Sequence, residues 1–295
     1  MSQAHESHQG PWTTLKLLGW TTQFFESKGI DTARLDAELL LATAMGCRRI
    51  ELYARYDDVP PPDALARFRQ WVKQRGQRVP AKYLIGETEF YSLSLAVTPS
   101  VLIPRPETEL LVERALQALP EGQDALVADL GTGSGAVAIA LASQRPQARV
   151  LAVDASVEAL ELARVNAQRH QLAERITFLH GNWFDALSDG VTCDVVVSNP
   201  PYVARAELAA TMPEVREHEP RLALDGGDDG LDALRVIVAG APAWLKPGGW
   251  LFVEIGASQG PAVRQLAEQT GDYETVDVSP DFQGLDRIVS MQKKA

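Results

Sequence analysis

Cysteine is scarce in this chain of 295 residues: Cys47 and Cys193 are the two present, far apart and in apolar settings. That excludes a disulfide framework and a zinc site built on thiolates, and both read as inert core thiols. The five histidines show no ligand spacing, so no metal is expected, and His5 and His8 sit in a polar start expected to be disordered. No apolar run reaches membrane-spanning length, and Met1 to Pro11 lacks the basic start and apolar stretch of a signal peptide. The expected compartment is the cytoplasm, with no membrane partner. An excess of positive charge is also missing. The net charge is -11; residues 1 to 90 carry 12 Lys and Arg against 11 Asp and Glu, which leaves 16 against 28 for residues 91 to 295. A general duplex-DNA binder carries a basic footprint, so no direct DNA binding is expected.

The chain is otherwise rich enough to bury a full core, with 45% hydrophobic residues and a length that suits one large domain or two modest ones. From residue 12 to about 85 the periodicity is helical throughout. Leu17, Trp20 and Phe24 follow the capping candidates Thr13 and Thr14; Asp31 is placed to cap a second helix carrying Leu35, Leu39, Ala42 and Met45 up to Gly46. Pro60, Pro61 and Pro62 then break the chain before a helix from Asp63 to Arg75, whose Arg67, Arg69, Lys73 and Arg75 read as a solvated face.

At Phe90 to Val97 the pattern changes to period two, which predicts a strand, and a second extended run covers Val101 to Ile103. Residues 86 to 105 are the expected hairpin junction between a helical part, 1 to 85, and an α/β part, 106 to 295. Pro106, Glu107 and Glu109 have the composition of a helix start. From Ala125 strand and helix alternate: Ala125 to Leu130, Ala136 to Ser143, Val150 to Val153, Val157 to His170, Ile176 to His180, then the Val195 to Val197 run. That predicts a doubly wound, mostly parallel sheet. Leu231 to Leu245 reads as a helix, Lys246 to Gly249 as a turn into a strand ending at Glu254, and Tyr273 to Val278 with Arg287 to Gln292 as an antiparallel edge pair.

Two stretches carry chemistry. The run Val195 to Val197 is cut by Pro200 and Pro201, which cannot donate to a ladder, so the strand stops by Asn199. Side chains just past the carboxyl end of a parallel strand face the crevice where ligands bind. There the Asn199 amide oxygen and the Pro200 carbonyl are acceptors that can converge on one NH2 group, and Tyr202 adds a flat ring. Asn199, Pro200, Pro201 and Tyr202 thus suit a planar nitrogen, either a carboxamide or the exocyclic amine of a base, attacking an activated electrophile.

The second stretch is Asp129-Leu-Gly-Thr-Gly-Ser-Gly135, after the first strand of the α/β part and at the start of its first helix. Gly131, Gly133 and Gly135 allow a tight turn and close ligand approach, and Asp154 ends the next strand where an acid can take both ribose hydroxyls. NAD is the competing cofactor, since Gly131, Gly133 and Ala136 fit the dinucleotide spacing. S-adenosyl-L-methionine fits better: Asp129 would lie beside a zwitterionic amino group, no second mononucleotide half follows, and a sulfonium methyl is the electrophile a nitrogen at Asn199 needs. Asn182 and Trp183 follow the third strand, where Asn182 can bond an adenine edge and Trp183 can pack on its face or serve as plain core.

Together with Leu102 to Glu109 and Glu219 to Leu231, these motifs resemble the peptide chain release factor glutamine N5-methyltransferases, over nearly the whole chain. Asn199 to Tyr202 alone is shared with adenine-N6 methyltransferases. The resemblance implies a Rossmann-like class I methyltransferase with a seven-stranded sheet and a helical amino-terminal domain for partner recognition. Its implied substrate is the glutamine of the Gly-Gly-Gln loop of class 1 release factors, and its role the modulation of translation termination. By position, Asp129, Gly131, Thr132, Gly133, Ser134, Gly135, Asp154, Asn182, Trp183 and Asn199 would hold the cofactor. Asn199, Pro200, Pro201 and Tyr202 would hold the glutamine, with Asn199, Pro200 and Tyr202 the catalytic set. Asn182 stands where the family often has Asp. A base methyltransferase acting on an extruded adenine is the runner-up, and a methyltransferase-like binding subunit the third reading.

Overall fold

The computed structural model describes residues 11–295, so the expectations for His5 and His8 lie outside the described residues. The chain divides into two compact units, Met1–Ile85 and Gly86–Ala295.

The first unit is helical: α1 (Thr14–Ser27), α2 (Ala33–Met45), α3 (Glu51–Ala54), α4 (Pro62–Arg75) and α5 (Ala81–Ile85). Thr13 starts α1 as expected, accepting from the Lys16 N–H, and Gly46 ends α2 in the left-handed region that lacks a steric cost for glycine. Two expectations fail here. The residue flanking α2 is Thr32, not Asp31, and it makes no side-chain cap. Of the expected face of α2, Ala42 is in the core and Leu39 and Met45 are partly buried, but Leu35 is exposed, and Ala33, Ala37, Leu40, Leu41 and Ala44 are also buried. The reason is a polar pair inside the bundle: Arg75 Nε donates to Asp36 Oδ2 at 2.8 Å, and both side chains are buried. Arg75 therefore leaves the solvated face assigned to it, and α2 is turned to bring Asp36 inward.

The second unit opens with a hairpin, β1 (Glu87–Phe90) and β2 (Leu93–Ala96), paired from Glu87↔Ala96 to Phe90↔Leu93. The single strand expected over Phe90 to Val97 is thus folded back at Tyr91 and Ser92, both at positive φ without a glycine to signal it, and Val101 to Ile103 is not a strand. Asn166 fixes the hairpin to the unit: fully buried, it accepts from the Ala96 N–H and donates to the carbonyls of Ala96 and Ser134.

There follow α6 (Glu109–Ala118), β3 (Ala125–Leu130), α7 (Ala136–Gln144), β4 (Ala148–Asp154), α8 (Val157–Arg169), β5 (Ile176–His180), β6 (Cys193–Ser198), α9 (Pro213–His218), α10 (Asp232–Trp244), β7 (Leu245–Glu254), α11 (Gly260–Thr270), β8 (Tyr273–Pro280) and β9 (Asp286–Lys293). The seven-stranded sheet has the order β5-β4-β3-β6-β7-β9-β8, with β9 alone antiparallel to its neighbours. Alternate residues serve opposite faces: Val127, Val150, Val195 and Val197 pack under α6, α7 and α8, whereas Ala128, Val153, Val196 and Val253 pack under α10 and α11.

Helix α11 was not anticipated. The final pair is antiparallel and forms the sheet edge as expected, with β8 outermost and β9 paired to β7. The turn expected at Lys246 to Gly249 is instead an irregularity within β7, between the pairs Cys193↔Leu245 and Val195↔Trp250, tied down by Lys246 Nζ on the Asp194 carboxylate. Strand order reverses between β3 and β6, which opens the ligand crevice beyond their carboxyl ends.

Candidate active site

Just past those strand ends lies a cavity of about 690 Å³, a volume suited to a nucleoside-sized ligand. Its wall takes in Asp129, Gly131, Thr132, Gly133 and Ser134 from the loop after β3, Asp154 from the end of β4, Asn182 and Trp183 after β5, and Asn199 and Pro201 after β6. Residues separated by up to 72 positions in the chain are thereby brought together. Gly135, Pro200 and Tyr202 stand outside the lining.

The glycine loop holds its shape through β4. The N–H groups of Gly131 and Thr132 both donate to the Val153 carbonyl, at 2.8 and 2.9 Å, and Gly131, Gly133 and Gly135 all take positive φ. A Cβ on Gly133 would meet no protein atom within 4 Å, so the space before it belongs to the cavity; one on Gly131 would lie 3.5 Å from the Trp183 ring. Asp154 accepts from Gly133 N–H on Oδ2 (2.8 Å) and from Ser156 N–H on Oδ1 (2.9 Å). Each oxygen keeps a further lone pair for one of two vicinal hydroxyls. Burial raises the Asp154 pKa, opposed by those backbone bonds.

Asp129 is almost wholly buried and accepts on Oδ2 from Thr132 Oγ1 (2.6 Å) and Ala138 N–H (3.2 Å). Desolvation pushes its pKa up to about 7 in spite of those two bonds. The wall also carries Glu158, Asp225 and Asp232, making five carboxylates with no Lys, Arg or His among the lining residues. Asp225 is paired with Arg205 and Arg221, and Asp232 with Arg235, so the carboxylates without an ion pair among the described residues are Asp129, Asp154 and Glu158; that part of the wall favours a cationic ligand over a pyrophosphate. With paired acceptors for hydroxyls, an indole beside them and a buried carboxylate near the loop, the donor set fits S-adenosylmethionine.

A relay behind Asn199 was not read from the sequence. Asn199 Nδ2 donates to Thr108 Oγ1 (3.0 Å), Thr108 Oγ1 donates to Glu254 Oε2 (2.7 Å), and Tyr202 OH donates to Glu254 Oε1 (3.1 Å). Thr108 has one hydrogen, and Glu254 accepts it. Its remaining lone pairs accept from the Asn199 NH2, which leaves Asn199 Oδ1 as the acceptor for an incoming group. Glu254 is 1% exposed, and desolvation raises its pKa. Burial foremost, and then Glu254 itself, drives the Tyr202 pKa upward, so the phenol stays protonated and donating.

The segment from Leu102 to Glu109, whose composition reads as no more than a helix start, is part of the site: Leu102, Pro104 and Thr108 line the cavity. Arg105 Nη2 lies 2.7 Å from each oxygen of the buried Glu219, and Glu109 Oε1 accepts from the Tyr91 N–H. The segment after Glu219 clamps Asn199 to Tyr202 from the other side. Val203 N–H donates to the Leu224 carbonyl, Gly226 N–H to the Val203 carbonyl, and Gln259 Nε2 to the carbonyls of Tyr202 and Gly230. A Cβ on Gly230 would lie 2.5 Å from the Tyr202 carbonyl oxygen, so that approach requires glycine.

Residues 16–86 match the family model of the PrmC N-terminal domain, and residues 106–226 that of the methyltransferase small domain. The chain is 46% identical to the release factor glutamine methyltransferase of Geobacter sulfurreducens over 94% of its own length and 96% of that protein's. To the protein of the same name from Rhodopirellula baltica it is 43% identical, over 98% and 99%. Among solved structures, a methyltransferase from Pyrococcus furiosus superposes with a TM-score of 0.54 at 18% identity, covering 76% of this chain and all (100%) of that one, a likeness of fold. With identity of that degree running through both the helical unit and the unit that holds the cavity, the chain belongs to the release factor glutamine methyltransferase family.

Proposed function

We propose that this protein transfers the methyl group of S-adenosylmethionine to the side-chain amide nitrogen, N5, of the glutamine in the Gly-Gly-Gln loop of class 1 release factors, and so modulates translation termination in the cytoplasm. The observation that carries this reading is the pairing of a cavity whose charged lining residues are all acidic with an Asn199 amide whose NH2 is already engaged by Thr108. When bound, the cofactor supplies an electrophilic methyl on a cationic sulfur. An amide nitrogen is a weak nucleophile because its lone pair is delocalised into the carbonyl. Asn199 Oδ1 and the Pro200 carbonyl accept its two hydrogens, and those bonds strengthen as positive charge develops on nitrogen. The proton then leaves to water, and no side chain acts as base. Pro201 and Tyr202 shape the place where the glutamine lies.

The same field argues against nucleic acid. The lining carries carboxylates and no Lys, Arg or His, which disfavours a phosphate backbone, whereas a protein loop enters through backbone and amide contacts. Incubation with labelled cofactor, a release factor and an adenine-containing oligonucleotide should place the label on the protein; label on the oligonucleotide would favour the base-methyltransferase reading.

Asp154 takes the two ribose hydroxyls, Asn182 and Trp183 the adenine, and residues 129 to 135 the amino-acid portion. Asp154→Ala should therefore weaken cofactor binding by about 1.5–3 kcal/mol, the worth of hydrogen bonds to a charged acceptor. Calorimetric affinity equal to wild type would remove Asp154 from the site.

Cofactor binding should also depend on pH through Asp129. Its pKa is raised to about 7 in the free protein, so folding takes up a proton there, and the free protein's stability falls as pH rises from the unfolded value through that point. A bound cation reverses the preference and expels the proton. Affinity should thus rise toward neutral pH, by at most about tenfold per pH unit, and level off above about 7. Asp129→Asn should flatten the rise, and a flat wild-type profile would contradict the assignment.

Residues 1–85 act as the partner-recognition domain, 86–105 as the junction, and 106–295 as the methyltransferase domain. Every group given a role in methyl transfer lies after residue 85, yet a glutamine on a loop offers too little surface to select one protein among many.

A further inference from the structure

The helical unit has a groove of its own, about 590 Å³, formed by α1 and α4. Trp20 stacks on Phe24 with ring centroids 5.3 Å apart and 8° between planes, and Trp12 meets Trp20 edge-on at 6.4 Å. Although so arranged, Trp20 remains 49% exposed. Gly76 lets the Phe24 ring pack against the end of α4, since a Cβ there would lie 2.7 Å from it. Thr21, fully buried in the lining, has a hydroxyl with no hydrogen-bond partner, a polar group left unused by the bundle.

The rim is cationic. Lys28, Arg69 and Lys73 line the groove together with no Asp or Glu, and none of the three is in an ion pair among the described residues. Lys28 lies 5.6 Å from the Phe24 ring centroid, over its face. Residues 1–85 as a whole carry 12 Lys and Arg against 9 Asp and Glu, in a chain whose net charge is -11. Exposed tryptophan and unpaired arginine around an apolar floor are the composition of binding hot spots.

We propose that this groove docks an acidic segment of the release factor that presents a large apolar side chain. The anchor lies against Trp20 and Phe24, and the carboxylates meet Lys28, Arg69 and Lys73. This rests on the reading that the chain methylates release factors, and it names the surface that selects them. Charge complementarity fixes the occupant: three uncompensated cations steer an acidic partner, speed its encounter and disfavour a basic one.

The test uses the full-length protein and two variants, Trp20→Ala and the exposed double change Arg69→Glu/Lys73→Glu, each checked for folding by thermal unfolding. KM for an intact release factor should rise about tenfold or more in either variant, with kcat within about twofold, because no group in methyl transfer is touched. The rate on a short Gly-Gly-Gln peptide and the affinity for S-adenosylmethionine should stay at wild-type values. Direct binding to the release factor should weaken with added salt in the wild type and less steeply in the double variant. Unchanged KM in the double variant overturns the proposal, as does equal loss on peptide and intact protein. A protein lacking residues 1–10 that binds the release factor more tightly, and is then indifferent to both changes, would give the groove to the chain's own amino terminus and overturn it too. Failure of the wild type to methylate either substrate would instead overturn the function on which the proposal rests.

Discussion

Asn199→Ala should lower kcat by about 10²–10³-fold, the cost of removing one preorganised group aimed at developing charge, while cofactor affinity changes far less. The amide does two things at once. Its Nδ2 is held by Thr108 at 3.0 Å, and its Oδ1 is thereby directed to the substrate nitrogen. In the ground state that nitrogen is nearly neutral, so the bond contributes little to binding; as the methyl group is transferred the nitrogen becomes positive and the bond strengthens. A loss expressed in kcat rather than in KM is the signature of that difference. Single-turnover rates with saturating cofactor separate chemistry from product release. A kcat near that of the wild type would remove the acceptor role from Asn199.

Glu254→Gln should lower kcat by about 10²-fold, the scale on which small misplacements of a reacting group act, although Glu254 is not among the residues lining the cavity. The carboxylate accepts from two hydroxyls, Thr108 on one oxygen and Tyr202 on the other. Glutamine has one acceptor and one donor in the same space. If its NH2 faces Thr108, the threonine hydrogen turns to Asn199 and the Asn199 amide flips, presenting NH2 to the substrate NH2. If it faces Tyr202, the phenol hydrogen is left buried without an acceptor. Protonation of Glu254 has the same effect as the first case. Because burial raises its pKa, wild-type turnover should fall on the acid side at a pH above the ordinary carboxylate range, and the Gln variant should lack that limb. A merely structural role for Glu254 would lower stability without moving the pH profile. Tyr202→Phe removes one of the two bonds and should have an intermediate effect.

What could be read in the sequence, and what could not, follows from distance along the chain. The glycine loop, Asp154 and Asn199 each sit immediately after a strand, so local periodicity and two prolines located them. The relay and the ion pair beside it are not legible because their members are remote: Thr108 and Glu254 are 146 residues apart, and Arg105 and Glu219 are 114 apart. Each taken alone has a plain local explanation, a helix start or a strand end. The hairpin expected within residues 86 to 105 is present, but nothing signals its turn, since Tyr91 and Ser92 adopt positive φ without glycine. In α2 apolar spacing found Ala42 but not the buried Asp36–Arg75 pair, which places charge on an inward face and leaves Leu35 exposed. The antiparallel edge pair was legible, whereas which of its strands meets β7 depends on pairing order, which periodicity does not encode.

The central claim is tested most directly by mass spectrometry of a class 1 release factor after incubation with this protein and S-adenosylmethionine. The expected result is a mass increase of one methylene on the peptide containing Gly-Gly-Gln, with fragmentation placing it on the glutamine side chain, and its loss with Asn199→Ala. An unmodified glutamine under conditions where the protein binds and turns over cofactor on another acceptor would contradict the account.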